Sequence, residues 1–123
     1  MTERRMYVTG GIGSKALGVR FSYDYDLPNE SAYNETSASV GLVFWSHRML
    51  QIELDARYAE VMELANGAMS GVSLSGDTYF YANPLAVYPA EYTYQTRQKW
   101  FSTACCPSNH RLPLGGPTAI PVR

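Results

Sequence analysis

AYNETSASVGLVFWSHRML, residues 32–50, decides how the chain is read. Val40, Leu42, Val43, Phe44, Trp45, Met49 and Leu50 fall on nearly every side of a helix. A helix that is apolar all round its middle is buried among other elements. The run therefore predicts a core helix over 31–52, with Asn29 or Ser31 as its cap. Just beyond it, Asp55 is placed to cap a second helix over 56–65. There Tyr58, Val61, Met62 and Ala65 follow the i, i+3, i+4, i+7 spacing of one apolar face. Asn66-Gly67 offers a left-handed stop, and the short link between the helices predicts an antiparallel pair.

On either side of this pair the pattern changes. Upstream, residues 6–28 hold Gly10, Gly11, Gly13 and Gly18, then Phe21 to Pro28, and read as a Gly-rich irregular loop ending in an extended run. Downstream, Val72-Ser73-Leu74 and Thr78-Tyr79-Phe80-Tyr81 flank Ser75-Gly76-Asp77, which predicts a β-hairpin. Residues 84–99 read as loop, and the tail from Pro107, with Pro113, Gly115, Gly116, Pro117 and Pro121, as unpacked and disordered.

A chain of 123 residues with a net charge of −1 is one domain at most and lacks the basic footprint of a nucleic-acid binder. No apolar stretch is long enough to span a membrane, and MTERRMYVTGG has no apolar run that would make it a signal peptide. Asn29-Glu30-Ser31 and Asn34-Glu35-Thr36 fit the glycosylation sequon, but without a secretory signal they read as chance. The only cysteines, Cys105 and Cys106, are neighbours. Adjacent cysteines close a strained ring, so a disulfide between them would be labile, and the expected compartment is the reducing cytoplasm.

Several groups could carry chemistry. The twin thiols are either a pair of zinc-binding thiolates, with Pro107 bending the backbone, or two small buried apolar residues. Glu35, in the first turns of an apolar helix, is either an exposed acid favoured by the helix dipole or an inward-facing ligand; residue type alone favours exposure. Asp24 and Asp26, alternating with Tyr23 and Tyr25, would point the same way in an extended segment. They make an acid/base pair, a sugar-binding rim or ordinary surface turns. Gly10-Gly11-Ile12-Gly13-Ser14-Lys15 lacks the spacing and order of a phosphate loop. His47 reads as a hydrogen-bonded core histidine, and His110 lies in the proline-rich tail.

Taken together, MYVTGGIGS (Met6–Ser14), FSYDYDLPNE (Phe21–Glu30), AYNETSASVGLVFWSHRML (Ala32–Leu50), YAEVMEL (Tyr58–Leu64), GVSLSGDTYFYANPL (Gly71–Leu85) and ACCPSN (Ala104–Asn109) resemble the β-L-arabinofuranosidases of glycoside hydrolase family 127. The likeness runs in order through most of residues 6–109 and stops at His110. It implies a mainly α fold. Residues 1–109 would be an incomplete slice of an (α/α)6-barrel catalytic domain, made of a helical hairpin, a β-hairpin and active-site loops, and 110–123 a divergent tail. Phe44 and Trp45 would then be left uncovered and favour self-association.

The resemblance also implies a chemistry. Members are retaining glycosidases in which a cysteine thiolate attacks the anomeric carbon and a glutamate serves as acid and then base. That differs from the usual carboxylate pair. Zinc holds the nucleophile, the next cysteine and a Glu-x-Cys pair. Carried over by position, Cys105 matches the nucleophile and a zinc ligand, Cys106 and Glu35 match zinc ligands, and Tyr81 matches a tyrosine lining the sugar subsite. The implied cofactor is zinc and the implied partner an arabinofuranoside or related glycan, with neither nucleic acid nor membrane. Two positions depart from the pattern. Ser37 stands where a third cysteine ligand is expected, and a neutral hydroxyl is a poor donor beside thiolates. Val19 stands where the acid/base glutamate is expected and cannot carry a proton. Around Glu63–Gly67 the chain is two residues short of the family pattern, a turn of roughly 200° on a helix. The functional expectation is a β-L-arabinofuranosidase-like fragment, impaired or inactive alone, or else a non-catalytic zinc- or carbohydrate-binding remnant.

Overall fold

The computed structural model describes residues 2–68, 77–86, 96–103 and 105–106. Three helices lie among them: α1 (Thr2–Arg5), α2 (Thr36–Ile52) and α3 (Ala56–Ala68). The remaining pairing takes the form of isolated antiparallel bridges, Met6 with Ile12, Lys15 with Arg20, Glu35 with Ala82 and Tyr79 with Gln98. The architecture is mainly helical with little strand.

The two long helices pair as their periodicity requires. Trp45 meets Tyr58 edge-on at 6.0 Å. One helical turn earlier on α2, Leu42 shares a buried cluster with Ala65 and Ile12, and Val61 and Ala38 pack against it. Positions earlier on α2 thus meet positions later on α3, which makes the pair antiparallel. Asp55 caps α3 as expected, its Oδ1 accepting from the Arg57 backbone N–H at 2.9 Å. Gly10, at φ +85°, brings the N-terminal loop against α3: a Cβ there would sit 2.0 Å from the Leu64 carbonyl oxygen. The glycine-rich segment is therefore a packing element.

Several expectations need correction. The first helix starts at Thr36, not at 31. Residues 33–36 are committed instead to backbone pairing with 81–83. Thr36 donates its N–H to the Tyr81 carbonyl at 2.9 Å, and Asn83 donates to the Tyr33 carbonyl at 3.1 Å. α2 is not buried all round within this chain: Phe44 is 44% and Trp45 50% exposed. α3 continues past Asn66-Gly67 to Ala68. Asp24 and Asp26 do not act together, because Asp24 pairs with Arg4 and Arg5 and Asp26 with Lys15. Between them the chain turns at Tyr25, φ +64°. His47 is half-buried, its Nδ1 3.5 Å from Gln51 Nε2. The first arm of the expected β-hairpin and the tail 110–123 lie outside the described residues. In the hairpin's second arm Tyr79 bridges to Gln98, a residue expected in loop. No described helix is long and apolar enough to cross a membrane.

Candidate metal and thiol centre

The N-terminus of α2 is the floor of the site. A helix start leaves backbone N–H groups without intrahelical partners and carries the positive end of the dipole. Here the Thr36 N–H goes to the Tyr81 carbonyl. The Ser37 backbone N–H, next along this helix end, favours the ionised form of the Cys106 thiol. A sulfur on such a donor is favoured as an anion or as an acceptor. Glu35 occupies the cap position with extended backbone, φ −57° and ψ 133°, and makes no side-chain cap bond. Its carboxylate is therefore free to turn across the helix end toward the sulfurs.

Glu35 is buried, at 8% exposure, so residue type alone pointed the wrong way for it. Cys105 Sγ lies 3.8 Å from Glu35 Oε1 and 3.7 Å from Cys106 Sγ. All three donor atoms fall within 4.8 Å of one another. Neither cysteine is in a disulfide. They differ sharply in surroundings, since Cys105 is exposed and Cys106 fully buried. The bland reading of two small buried apolar residues fits Cys106 alone.

Aromatic rings fix the loop that carries the sulfurs. Phe101 packs against Tyr79 at 5.2 Å and Tyr81 at 5.6 Å. Tyr81 Oη lies 4.0 Å and Thr103 Oγ1 3.1 Å from Cys105 Sγ. Tyr33 packs edge-on against Tyr81 at 6.3 Å, and its hydroxyl donates to Glu35 Oε2 at 3.1 Å. Ser37 Oγ hydrogen bonds to Glu35 Oε1. Tyr33, Phe101 and Thr103 were not singled out from the sequence. Asn34, between Tyr33 and Glu35, is left-handed at φ +44°, so no strand alternation in the sequence marks Tyr33 as the partner of Glu35.

The electrostatics separate the two thiols. Burial opposes ionisation of Cys105, but hydrogen bonds with Thr103, Cys106 and Tyr81 outweigh it and lower its pKa below the ordinary thiol value. Burial, then the hydrogen bond with Cys105 and that neighbour's charge, push Cys106 up to about 12. The two thiols thus differ in acidity, Cys105 ionising more readily than Cys106. Burial, and then the charge of Glu35, raise Tyr33 as well, so its phenol stays protonated and remains a donor. Burial pushes Tyr81 up to about 12, with the charges of Glu35 and Cys105 acting the same way.

Val19 lines a small cavity of about 70 Å³ together with Tyr33, Glu35 and Arg20. It follows Gly18 in the Lys15–Arg20 turn and holds φ +45°, a left-handed conformation rare for a β-branched residue.

Comparison with known proteins matches residues 1–112 to the β-L-arabinofuranosidase, GH127 catalytic domain. A non-reducing end β-L-arabinofuranosidase of Bifidobacterium longum subsp. longum is 45% identical over 118 residues, covering 89% of this chain and 18% of its own length. A crystal structure of a GH127 β-L-arabinofuranosidase from Geobacillus stearothermophilus superposes with a TM-score of 0.86 at 48% identity, covering 99% of this chain and 21% of that one. A further GH127 β-arabinofuranosidase structure superposes at 0.79 with 43% identity, over 87% of this chain and 17% of its own. The chain thus spans about a fifth of the length of the relatives it matches. It belongs to the β-L-arabinofuranosidases of glycoside hydrolase family 127.

Proposed function

We propose that this chain carries the zinc-and-cysteine centre of a retaining β-L-arabinofuranosidase, in a form that holds metal and glycan better than it turns glycan over. The observation that carries this reading is the convergence of Glu35, Cys105 and Cys106 at the N-terminus of α2. Tetrahedral zinc, with Zn–S near ~2.3 Å and Zn–O near ~2.0 Å, would set its sulfurs about 3.8 Å apart and sulfur and oxygen about 3.5 Å apart. The separations here are 3.7 Å between the sulfurs and 3.8 Å between Cys105 Sγ and Glu35 Oε1. Two of the three separations thus lie near those the ion requires, and the third, between Cys106 Sγ and the Glu35 carboxylate, is within 4.8 Å.

Zinc bound there would keep both sulfurs deprotonated at neutral pH and hold them in place. The chain's own residues then divide the work. Cys105, exposed and with a lowered pKa, is the nucleophile whose sulfur bonds to the anomeric carbon as the glycosidic C–O bond breaks. Cys106 and Glu35, both buried, are ligands. Tyr81, beside Cys105, lines the sugar subsite. The departing oxygen needs a proton, and Val19 occupies the position where the family carries the donor. General acid help is typically worth ~10²–10⁴-fold in rate, so turnover of ordinary glycans is impaired. Ser37, in place of a thiolate, weakens the metal site in the same direction. These two residues favour a second reading, a non-catalytic zinc- or carbohydrate-binding remnant.

In the same reading α2 and α3 are one helical pair of an (α/α)6 barrel. The exposed rings of Phe44 and Trp45 face what the other helices would cover, and they promote self-association of the chain. Two thiols outside any disulfide suit a reducing compartment such as the cytoplasm.

The test is hydrolysis of an activated aryl β-L-arabinofuranoside, whose leaving group needs little protonation, together with zinc binding. Turnover that vanishes in Cys105→Ala supports the enzymatic reading. Zinc binding without turnover supports the remnant. Absence of both contradicts the proposed centre.

A further inference from the structure

The geometry points to Tyr33 as the positioning residue of this centre: its hydroxyl fixes Glu35 so that Oε1, and not Oε2, faces the sulfurs. The inference rests on the metal reading above and adds a residue which neither the family likeness nor the ligand set assigns.

A carboxylate at a helix cap can rotate about its terminal torsion, which is broad and roughly two-fold. Either oxygen, or both, could then meet an ion. Here the two are distinguished. Oε2 accepts the Tyr33 hydroxyl at 3.1 Å. Oε1 accepts the Ser37 hydroxyl and lies 3.8 Å from Cys105 Sγ. With Oε2 held by Tyr33, Oε1 is the oxygen on the sulfur side, and the lone pair it keeps beside the Ser37 bond gives the single-donor ligation that a four-coordinate zinc accepts.

Tyr33 can do this because it is itself held. Its carbonyl accepts from the Asn83 N–H at 3.1 Å, and the adjoining Glu35 bridges to Ala82. These bonds fix the backbone on both sides of Asn34. The ring is set edge-on against Tyr81 at 6.3 Å. Tyr81 in turn is set against Phe101 at 5.6 Å, two residues before Thr103, whose Oγ1 lies 3.1 Å from Cys105 Sγ. One aromatic row thus ties the orientation of the carboxylate to the loop that carries the sulfurs. Outer partners of metal ligands act in this manner, and their loss typically costs ~10–100-fold in metal affinity.

The test uses the full 123-residue chain. Zinc affinity is measured by competition with a chromophoric chelator, and the absorption of bound Co²⁺ reports ligand number and geometry. Tyr33→Phe removes one oxygen and keeps the ring. It is expected to lower zinc affinity about 10-fold and to shift and weaken the Co²⁺ bands. Unchanged affinity with unchanged bands overturns the inference while leaving the metal reading intact. So does lowered affinity with unchanged bands, because a merely structural role would act that way. Failure of the unsubstituted chain to bind either metal overturns the metal reading itself, and this inference with it. The same comparison on a Ser37→Cys background, where a third thiolate strengthens binding, gives a second pair of chains in case Tyr33→Phe alone does not fold. There too, equal affinity and equal bands with and without the Tyr33 hydroxyl overturn the assignment.

Discussion

The two sides of α2 contrast. Its N-terminus is crowded with specific bonds: the Thr36 hydroxyl donates to the Phe80 carbonyl at 2.8 Å, Asn83 Nδ2 donates to the Asn34 carbonyl at 2.9 Å, and Glu35 is closed in by Tyr33, Ser37 and Cys105. Its outer middle is bare, with Phe44 and Trp45 each about half exposed. The same helix is thus closely bonded at its N-terminus and half exposed along its outer middle. Local hydrogen bonding maintains the geometry around Glu35, whereas the apolar rings at 44 and 45 lie half exposed among the described residues. Hydrophobic burial is non-directional and asks only for cover. The centre asks for particular atoms.

Four changes break or sharpen this contrast, from the largest expected effect downward. Leu42→Ala removes the main apolar side chain between α2 and α3. Leu42 is 3% exposed in the cluster with Ile12 and Ala65. A loss of ~2–5 kcal/mol is expected, enough to unfold a marginal domain, and denaturant titration measures it. Little loss would mean that the pair is not held by that cluster. Ser37→Cys should tighten zinc by about 10²-fold. That is roughly a quarter of the ~10–16 kcal/mol contributed by a four-ligand structural site, and chelator competition reads it. Equal affinities would remove Ser37 from the metal's reach.

The third concerns the thiols. In metal-free protein, iodoacetamide should label Cys105 at least about tenfold faster than Cys106, because the first is exposed with a lowered pKa and the second is buried. Peptide mass spectrometry resolves the order. The pH dependence has a definite sign. Cys106 is raised from 9.0 to about 12, so the folded chain keeps a proton that an unfolded chain would release. Its contribution to stability is full below pH 9 and declines as pH rises toward 12. Stability increasing across that window would contradict the assignment. The smallest effect is expected at Val19, whose φ of +45° is strained for a β-branched residue. Val19→Gly should stabilise by about 1 kcal/mol, visible as a small rise in the denaturation midpoint. In contrast to Leu42, this is a local property of one turn.

The helices were legible because their signals are local. The spacing of Tyr58, Val61, Met62 and Ala65 and the cap at Asp55 lie within one short stretch. The start of α2 was not. Tyr33 to Thr36 are drawn into pairing with Phe80 to Asn83, more than forty positions away, and nothing in the local sequence marks that competition with helix. Asn66-Gly67 looked like a stop, yet α3 extends through it. Glu35 shows the same limit at the site. A single carboxylate in an apolar run is ordinarily exposed, and only the family likeness favoured the ligand over the exposed acid. Its burial depends on Tyr33, Ser37 and Cys105 arriving from both sides of the chain. The partners that set the thiols apart, Thr103 and Tyr81, are likewise products of tertiary packing.

The most direct test is X-ray absorption at the zinc edge on the zinc-loaded 123-residue chain. Two sulfurs at ~2.3 Å with oxygen near ~2.0 Å are expected if Glu35, Cys105 and Cys106 share one ion, with the sulfur signal halved in Cys106→Ala. A shell of oxygen and nitrogen alone, or one indifferent to that substitution, would contradict a shared site at the end of α2.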